Sequence, residues 1–316
     1  MKKLTFQNGD TLPMLGLGTW KSKPGEVYHA VREAIRIGYR HIDCAAVYAN
    51  EAEIGQALED TMQEGEVKRE ELWITSKLWN TAHRRQQVRP ALEKTLHDLR
   101  LDYLDLYLVH WPVALKEHAP FPYRAEDLIS LDEIPMTETW EGMEECLTSG
   151  LTRHIGVSNF SISKLKALKY SAVYAPEMNQ IELQPLLQQN DMLDFCKKEG
   201  IHLTAYSPLG SRDRSAFFKD PNEPDLFENP VIKKVAAQNH CTPAQILIAW
   251  ALQRGTAVIP KSVNPERIRQ NFDAANILLS SSDMDELGRL DKHFRFITGG
   301  FWTQKGSPYT MESLWA

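Results

Sequence analysis

The sequence predicts a (β/α)8 barrel, and three observations predict it. Short apolar runs end near Gly18, Asp43, Lys77, His110, Ser158, Gln180, Tyr206 and Lys261, and most of the intervals are about 22 to 34 residues, the size of one strand–helix unit. The segments between the runs carry the apolar period of amphipathic helices. Chemically versatile side chains collect at or just past the strand ends: Asp43, Tyr48, Lys77 and His110 follow the runs 39–43, 72–77 and 105–110. The carboxyl ends of neighbouring barrel strands are where this fold keeps its chemistry.

In chain order, Asn8-Gly9 lies between Leu4-Thr5-Phe6 and residues 11–14 (TLPM), the pattern of a hairpin that would plug one end of the barrel. Val27, Ala30, Val31, Ala34 and Ile35 form the first helical stripe, and Val88, Ala91, Leu92, Thr95, Leu96 and Leu99 the next. Trp140, Met143 and Leu147 begin another, behind a helix-start signal at Thr137. Asn190-Asp191, Thr242-Pro243 and Asn264-Pro265 each put a capping residue at a helix start, the last two with proline in the first helical position. Two intervals are longer. Residues 111–136 are rich in His, Pro and Phe, and residues 207–229 precede an additional helix from Pro230 to Gln238. Structureless connections of this length are usually lids or binding loops. The tail from His293 to Ala316 is a third irregular segment, rich in Gly and aromatic residues. No composition break or Gly/Ser linker divides the chain, so residues 1–316 are expected to form one domain. A doubly wound sheet would need a Gly-x-Gly-x-x-Gly turn, and residues 16–21 (GLGTWK) lack its third glycine.

Composition narrows the class. A chain of 316 residues that is 42% hydrophobic can bury a large core. A net charge of −6 argues against a general nucleic-acid binder while leaving room for a local basic pocket. The N-terminus has basic residues but no apolar segment of a signal peptide, and the longest apolar run, about Ile246 to Leu252, is far short of a membrane span. The four cysteines, Cys44, Cys146, Cys196 and Cys241, are far apart and offer no metal-site spacing. The expectation is a cytoplasmic protein without metal, nucleic acid or membrane, and with no protein partner demanded.

Asp43, beside Cys44-Ala45-Ala46, needs a cation. Lys77, behind an apolar strand, needs an anion, because lysine is rarely buried without a partner. Each explains the other as a buried ion pair. Such pairs are weak stabilisers after desolvation, so a purely architectural role is the poorer account. By residue type alone, Tyr48 reads as an ordinary helix-start tyrosine, and His110 divides evenly between a satisfied core histidine and a functional one. Together they suggest more. A phenol titrates at ~10 when unperturbed, and a neighbouring ammonium is expected to lower that value. Asp43 would hold Lys77 charged and oriented, His110 would donate a hydrogen bond to a substrate oxygen, and Tyr48 would protonate that oxygen. This suits reduction of a carbonyl, with the hydride coming from a nicotinamide cofactor.

The chain resembles the aldo-keto reductase superfamily along essentially its whole length. The matching segments are 15–20 (LGLGTW), 38–45 (GYRHIDCA), 76–80 (SKLWN), 102–112 (DYLDLYLVHWP), 155–160 (IGVSNF), 205–211 (AYSPLGS) and 259–263 (IPKSV). The resemblance implies the barrel, NAD(P)H-dependent reduction of aldehydes or ketones, and the tetrad Asp43, Tyr48, Lys77 and His110 with Tyr48 as proton donor. It implies that Ser158, Asn159 and Gln180 bind the cofactor carboxamide and that Tyr206 stacks on the nicotinamide. Asp43, Thr19, Trp20, Ser207, Leu209 and Ser211 match other cofactor neighbours, and Lys21 and Asp213 match a pair that clasps a loop across the pyrophosphate. The bland reading of that pair is a surface salt bridge of little value. Lys261, Ser262 and Arg267 match the adenosine 2′-phosphate site, with Val263, Gln270 and Asn271 beside them. Elementary physics agrees: a helix starting near Pro265 offers free N–H groups and a positive dipole end beside two cations. NADPH is therefore expected over NADH. One departure stands out. Gln270 occupies a position where the family often has glutamate, so it offers the adenine amino group an acceptor without charge.

Trp20, Val47, Tyr48, Trp79, His110 and Trp111 match the substrate pocket, and Phe121, Phe301 and Trp302 could complete it or simply pack in the core. An aromatic wall favours apolar aldehydes, yet similar walls serve sugar and sugar-phosphate reductases, which stay open as alternatives. Two other classes share the barrel: a cofactor-binding module without turnover, against which the intact quartet counts, and a Schiff-base aldolase using Lys77 as nucleophile, against which Tyr48, His110 and the cofactor motifs count.

Overall fold

The computed structural model describes residues 2–215, 219–220 and 222–316. The strands in chain order are β1 (Lys3–Thr5), β2 (Thr11–Pro13), β3 (Leu17–Gly18), β4 (His41–Asp43), β5 (Trp73–Leu78), β6 (Leu104–Val109), β7 (Ala114–Leu115), β8 (Leu128–Ile129), β9 (Thr152–Ser158), β10 (Met178–Glu182), β11 (His202–Tyr206) and β12 (Ala257–Val258). The helices are α1 (Glu26–Ile37), α2 (Glu51–Gln63), α3 (Arg85–Leu99), α4 (Met136–Thr148), α5 (Ile162–Ser171), α6 (Asn190–Glu199), α7 (Pro230–Gln238), α8 (Pro243–Gln253), α9 (Pro265–Asp273), α10 (Ser281–Gly288) and α11 (Met311–Trp315).

Eight parallel strands pair in the order β3-β4-β5-β6-β9-β10-β11-β12. The seam closes through parallel bridges from Leu15 to Val258 and from Gly18 to Lys261. Its hydrogen bonds run from Val258 N to Met14 O (2.7 Å), Gly16 N to Val258 O (2.9 Å) and Gly18 N to Pro260 O (3.1 Å). Gly18 is needed here: a Cβ on it would lie 2.7 Å from the Ile259 carbonyl oxygen. The (β/α)8 barrel expected from the alternation is thus what the chain forms. The strand pairs are buried on both faces, which is why they read as near-continuous apolar runs rather than alternating ones.

The hairpin β1–β2 turns at Asn8-Gly9, with Gly9 at φ 93°. It covers the amino-terminal end of the barrel, burying Phe6 and Leu12 against Trp73, Leu106, Leu108, Met178 and Ala257. His154 fastens it, pairing with Asp10 of the hairpin turn at 3.1 Å and with Glu177 at 2.7 Å.

Helix starts follow the capping signals in two cases of four. The Thr242 side chain accepts from Gln245 N in a full capping box, and Asn264 Oδ1 accepts from Arg267 N at 3.0 Å. The signals at Thr137 and Asn190 are corrected. Helix α4 starts a residue before Thr137, after Pro135, and α6 is preceded by Gln189 in the left-handed region at φ 51° with no side-chain cap. At both sites the helix begins at or before the capping-type residue, so Thr137 and Asn190 fall inside the first turn. The two long connections also differ from a structureless reading. Residues 111–136 fold back on themselves as the antiparallel pair β7–β8, and the tail ends in α11. Part of residues 207–229 lies outside the described residues.

Candidate active site

The quartet converges at the carboxyl end of the barrel. Asp43 ends β4, Lys77 stands one residue from the end of β5, and His110 follows β6 directly. Tyr48 ends a short 3-10 turn, Ala46–Tyr48, and Ala49 at φ 53° turns the chain on towards α2. Lys77 is fully buried; its Nζ donates to Asp43 Oδ1 at 2.5 Å and to Cys44 O at 2.8 Å. The other carboxylate oxygen of Asp43 accepts from Gln180 Nε2 at 2.6 Å. Lys77 Nζ lies 5.2 Å from the centroid of the Tyr48 ring, and the Tyr48 and His110 rings meet edge to face at 5.9 Å.

Electrostatics sets each group's state. Burial by itself depresses the Lys77 ammonium, but Asp43 and Tyr48 more than offset this and hold it above its ordinary value, so it is charged. Burial pushes the Tyr48 phenol up, and the opposing pull of Lys77 is the smaller effect. The expectation that Lys77 would bring this phenol below its ordinary value is corrected here. Removing water from the phenolate costs more than one already-paired ammonium returns. Burial, then Lys77 and His83, hold His110 neutral, well below the ordinary histidine value. Among the described residues its buried Nδ1 has no hydrogen-bond partner. A neutral imidazole and a protonated phenol at the end of one cavity can both donate to a single oxygen atom.

A second layer ties the quartet to the strands beyond. Thr19 Oγ1 donates to Asp43 O at 2.8 Å, and Asn50 Nδ2 to Thr19 O at 2.9 Å. Ser158 Oγ donates to Gln180 O at 2.8 Å, Asn159 Nδ2 to His110 O at 2.9 Å, and Tyr206 Oη to Asn159 Oδ1 at 2.7 Å. Lys21, Asn159, Ser207 and Ser211 all have left-handed backbone, with φ between 46° and 64°. Such conformations cost free energy in non-glycine residues and collect where a surrounding site fixes them.

From this centre a cavity of about 1460 Å³ runs to the start of α9. It exceeds the ~300–1,000 Å³ of ordinary small-ligand pockets, and it is lined by every cofactor position read from the sequence. Lys21 Nζ pairs with Asp213 Oδ1 at 2.5 Å across 192 residues of chain, and both residues line this groove. Lys261 Nζ donates to Lys21 O at 3.2 Å. At the far end Ser262 and Val263, just before α9, and Arg267 and Asn271, within it, line the cavity. Gln270 Nε2 donates to Glu266 Oε1 at 3.2 Å, which leaves the amide oxygen as its free end. A groove with a phenol and amides at one end, and cations around a helix N-terminus at the other, fits a phosphorylated dinucleotide.

The aromatic residues divide. Trp20, Val47, Trp79, Trp111, Phe121, Phe301 and Trp302 all line the cavity. Trp302 is fully buried, in contact with Trp79, Trp111 and Phe301, and forms the floor behind the wall. Phe121 is 71% exposed and sits at the rim. Residues missed in the sequence are those whose role depends on distant chain. Tyr123 stacks on Trp302 with ring centroids 5.7 Å apart. Glu182, fully buried at the end of β10, accepts from Phe296 N (2.8 Å) and Ile297 N (2.7 Å) and so holds the tail. Arg214, next to Asp213, donates to Phe296 O at 3.1 Å and pairs with Glu223. The Phe-Pro-Tyr of residues 121–123 was the one visible signal for Tyr123.

A closed parallel barrel with its polar constellation at the carboxyl ends of the strands has the architecture of a barrel enzyme. The chain belongs to the aldo/keto reductase family, whose model matches residues 14–292. It is 53% identical to an aldo/keto reductase of Synechocystis sp. over 315 residues, covering 100% of this chain and 96% of the relative. It is 48% identical to aldo-keto reductase family 1 member A1 of Sus scrofa and 46% identical to that of Homo sapiens, each over 294 residues, 92% of this chain and 90% of the relative. Members of the family are oxidoreductases that use nicotinamide cofactors on small carbonyl substrates. Among the described residues no helix is long and apolar enough to cross a membrane.

Proposed function

We propose that the chain, acting as one barrel domain, is an NADPH-dependent aldehyde reductase with Tyr48 as the acid. The observation that carries the reading is the half-buried Tyr48 phenol beside the Lys77–Asp43 pair and the neutral His110. When bound, the nicotinamide cofactor supplies the hydride. Ser158, Asn159 and Gln180 would hold its carboxamide, Tyr206 would face its ring, and Thr19, Trp20, Ser207, Leu209 and Ser211 would line its path. Lys21 and Asp213 would clasp it. Lys261, Ser262 and Arg267 would hold the 2′-phosphate, with Val263, Gln270 and Asn271 around the adenine.

The chain's own residues do the rest. Trp20, Val47, Trp79, Trp111, Phe121 and Trp302 exclude water and orient the substrate. His110 donates a hydrogen bond to the carbonyl oxygen and polarises it. Tyr48 delivers its proton to that oxygen as negative charge develops there, and the Lys77 ammonium stabilises the phenolate left behind. Asp43 keeps Lys77 charged and aimed.

Tyr48→Phe is expected to lower kcat by roughly 10²-fold or more while the dissociation constant for NADPH, read by protein fluorescence quenching, stays within about twofold. Wild-type turnover of aldehydes by this variant would sink the mechanism.

A further inference from the structure

The wall that separates the carbonyl position from the first long loop carries a polar atom the catalytic scheme does not use. Trp79 meets His110 edge to face at 5.1 Å and lies against Tyr123 on its other side at 6.2 Å. Its indole N–H donates to the Tyr123 phenol oxygen at 3.0 Å. The hydrogen-bond capacity of Trp79 is thereby used up, since an indole has one donor and no acceptor. A phenol oxygen that accepts still has its own proton to give, and among the described residues no group accepts it. Tyr123 is half-buried, lines the cavity, and is fixed in three ways. It stacks on the buried Trp302, receives Gln304 Nε2 on its backbone oxygen at 2.9 Å, and meets Phe121 edge on at 5.7 Å. Burial keeps this phenol protonated above the ordinary tyrosine range, so it is a neutral donor throughout the working pH range.

Tyr123 lines the same cavity as Tyr48 and His110, and Trp79 bridges the two regions by meeting both the His110 and the Tyr123 rings. We propose that Tyr123 is a specificity-determining residue whose phenol O–H donates to an acceptor on the substrate distal to the carbonyl. Aryl aldehydes carrying a nitro, acyl or amide group opposite the formyl group are then favoured over apolar analogues of the same size. The inference rests on the aldehyde reductase reading and refines it.

The test compares Tyr123→Phe with wild type on 4-nitrobenzaldehyde and 4-isopropylbenzaldehyde. Taking variant over wild type for each substrate cancels the intrinsic reactivity of its carbonyl. The expected result is a loss of about tenfold in kcat/KM for the nitro compound, the scale of one hydrogen bond to a neutral donor. The loss should lie mostly in KM, and the isopropyl compound should change by less than about twofold. The same ratio is expected at equilibrium, with the corresponding 4-substituted benzyl alcohols titrated against tryptophan fluorescence. Equal changes for both substrates would overturn the proposal. Because the variant releases the Trp79 N–H, the double variant Trp79→Phe/Tyr123→Phe is measured beside it. A nitro-specific loss that appears only in the double variant assigns the donor to Trp79 and also overturns it. Absence of wild-type turnover on every aldehyde would instead sink the underlying reading.

Discussion

The Tyr48 phenol illustrates why residue type fixes chemistry less firmly than surroundings do. Effects of opposite sign act on it: burial, helped by the Asp43 carboxylate, outweighs the Lys77 ammonium. Tyr48 is consequently the acid form at all physiological pH, and carbonyl reduction should lose rate only as pH rises past the ordinary phenol value of 10. Lys77→Met removes the one effect that opposes burial. The phenol becomes a weaker acid, and the buried Asp43 carboxylate keeps Gln180 but loses its cation. The expected outcome is a kcat lower by roughly 10²-fold, with the alkaline limb of the pH–rate profile moved to higher pH. An unmoved limb would mean that Lys77 does not tune Tyr48. Asp43 and Lys77 were legible in the sequence because buried charges require partners. The net state of Tyr48 was not, because desolvation depends on atoms contributed by several strands.

Among the elements, α9 is the most informative. Its proline and its asparagine cap are sequence features, and the cap bond at 3.0 Å forms as read. That cap joins Asn264 Oδ1 to Arg267 N, and the exposed Arg267 side chain and Lys261 line the cavity at that end of the helix. Arg267→Ala is expected to weaken NADPH by about tenfold or more, the value of a charge-assisted hydrogen bond, and NADH by less than about twofold. Fluorescence titration with both cofactors measures this, and equal losses would place the 2′-phosphate elsewhere. The failures at Thr137 and Asn190 have the opposite lesson. Capping residues are common in loops, and where strand-to-helix geometry already directs the chain, a suitable side chain one position away is simply absorbed into the first turn.

At the scale of the molecule, two ends of the barrel are closed by different means. The carboxyl end is closed by side chains from far apart in sequence: Arg214 joins the segment after β11 to Phe296, and Glu182 holds the same tail from β10. The amino end is closed by the β1–β2 hairpin and His154. Burial of His154 lowers its affinity for a proton, and Glu177 and Asp10 more than restore it, so its value is raised above 6.5. A raised folded value means the clamp contributes fully below the unfolded value and fades as pH rises through the folded one. His202, held at a lowered value chiefly by burial, contributes in the opposite sense. Both carboxylates are partly exposed, so after screening the clamp is worth about 0.5–1 kcal/mol. Thermal unfolding between pH 6 and 8.5 should then show a fall in Tm of roughly 2 °C that Glu177→Gln reduces. An unchanged pH dependence in that variant would discount the clamp.

The sequence by itself determined the alternation that closes into the barrel, the plugging hairpin and the pairing of Asp43 with Lys77. These follow from local periodicity, turn chemistry and the rule that buried charges are paired. Only the tertiary structure decided the protonation state of Tyr48, the join between Arg214 and the tail, and the Tyr123–Trp79 bond in the pocket wall. Each of these depends on groups separated by tens to hundreds of residues, whose distances and shared burial no local pattern encodes.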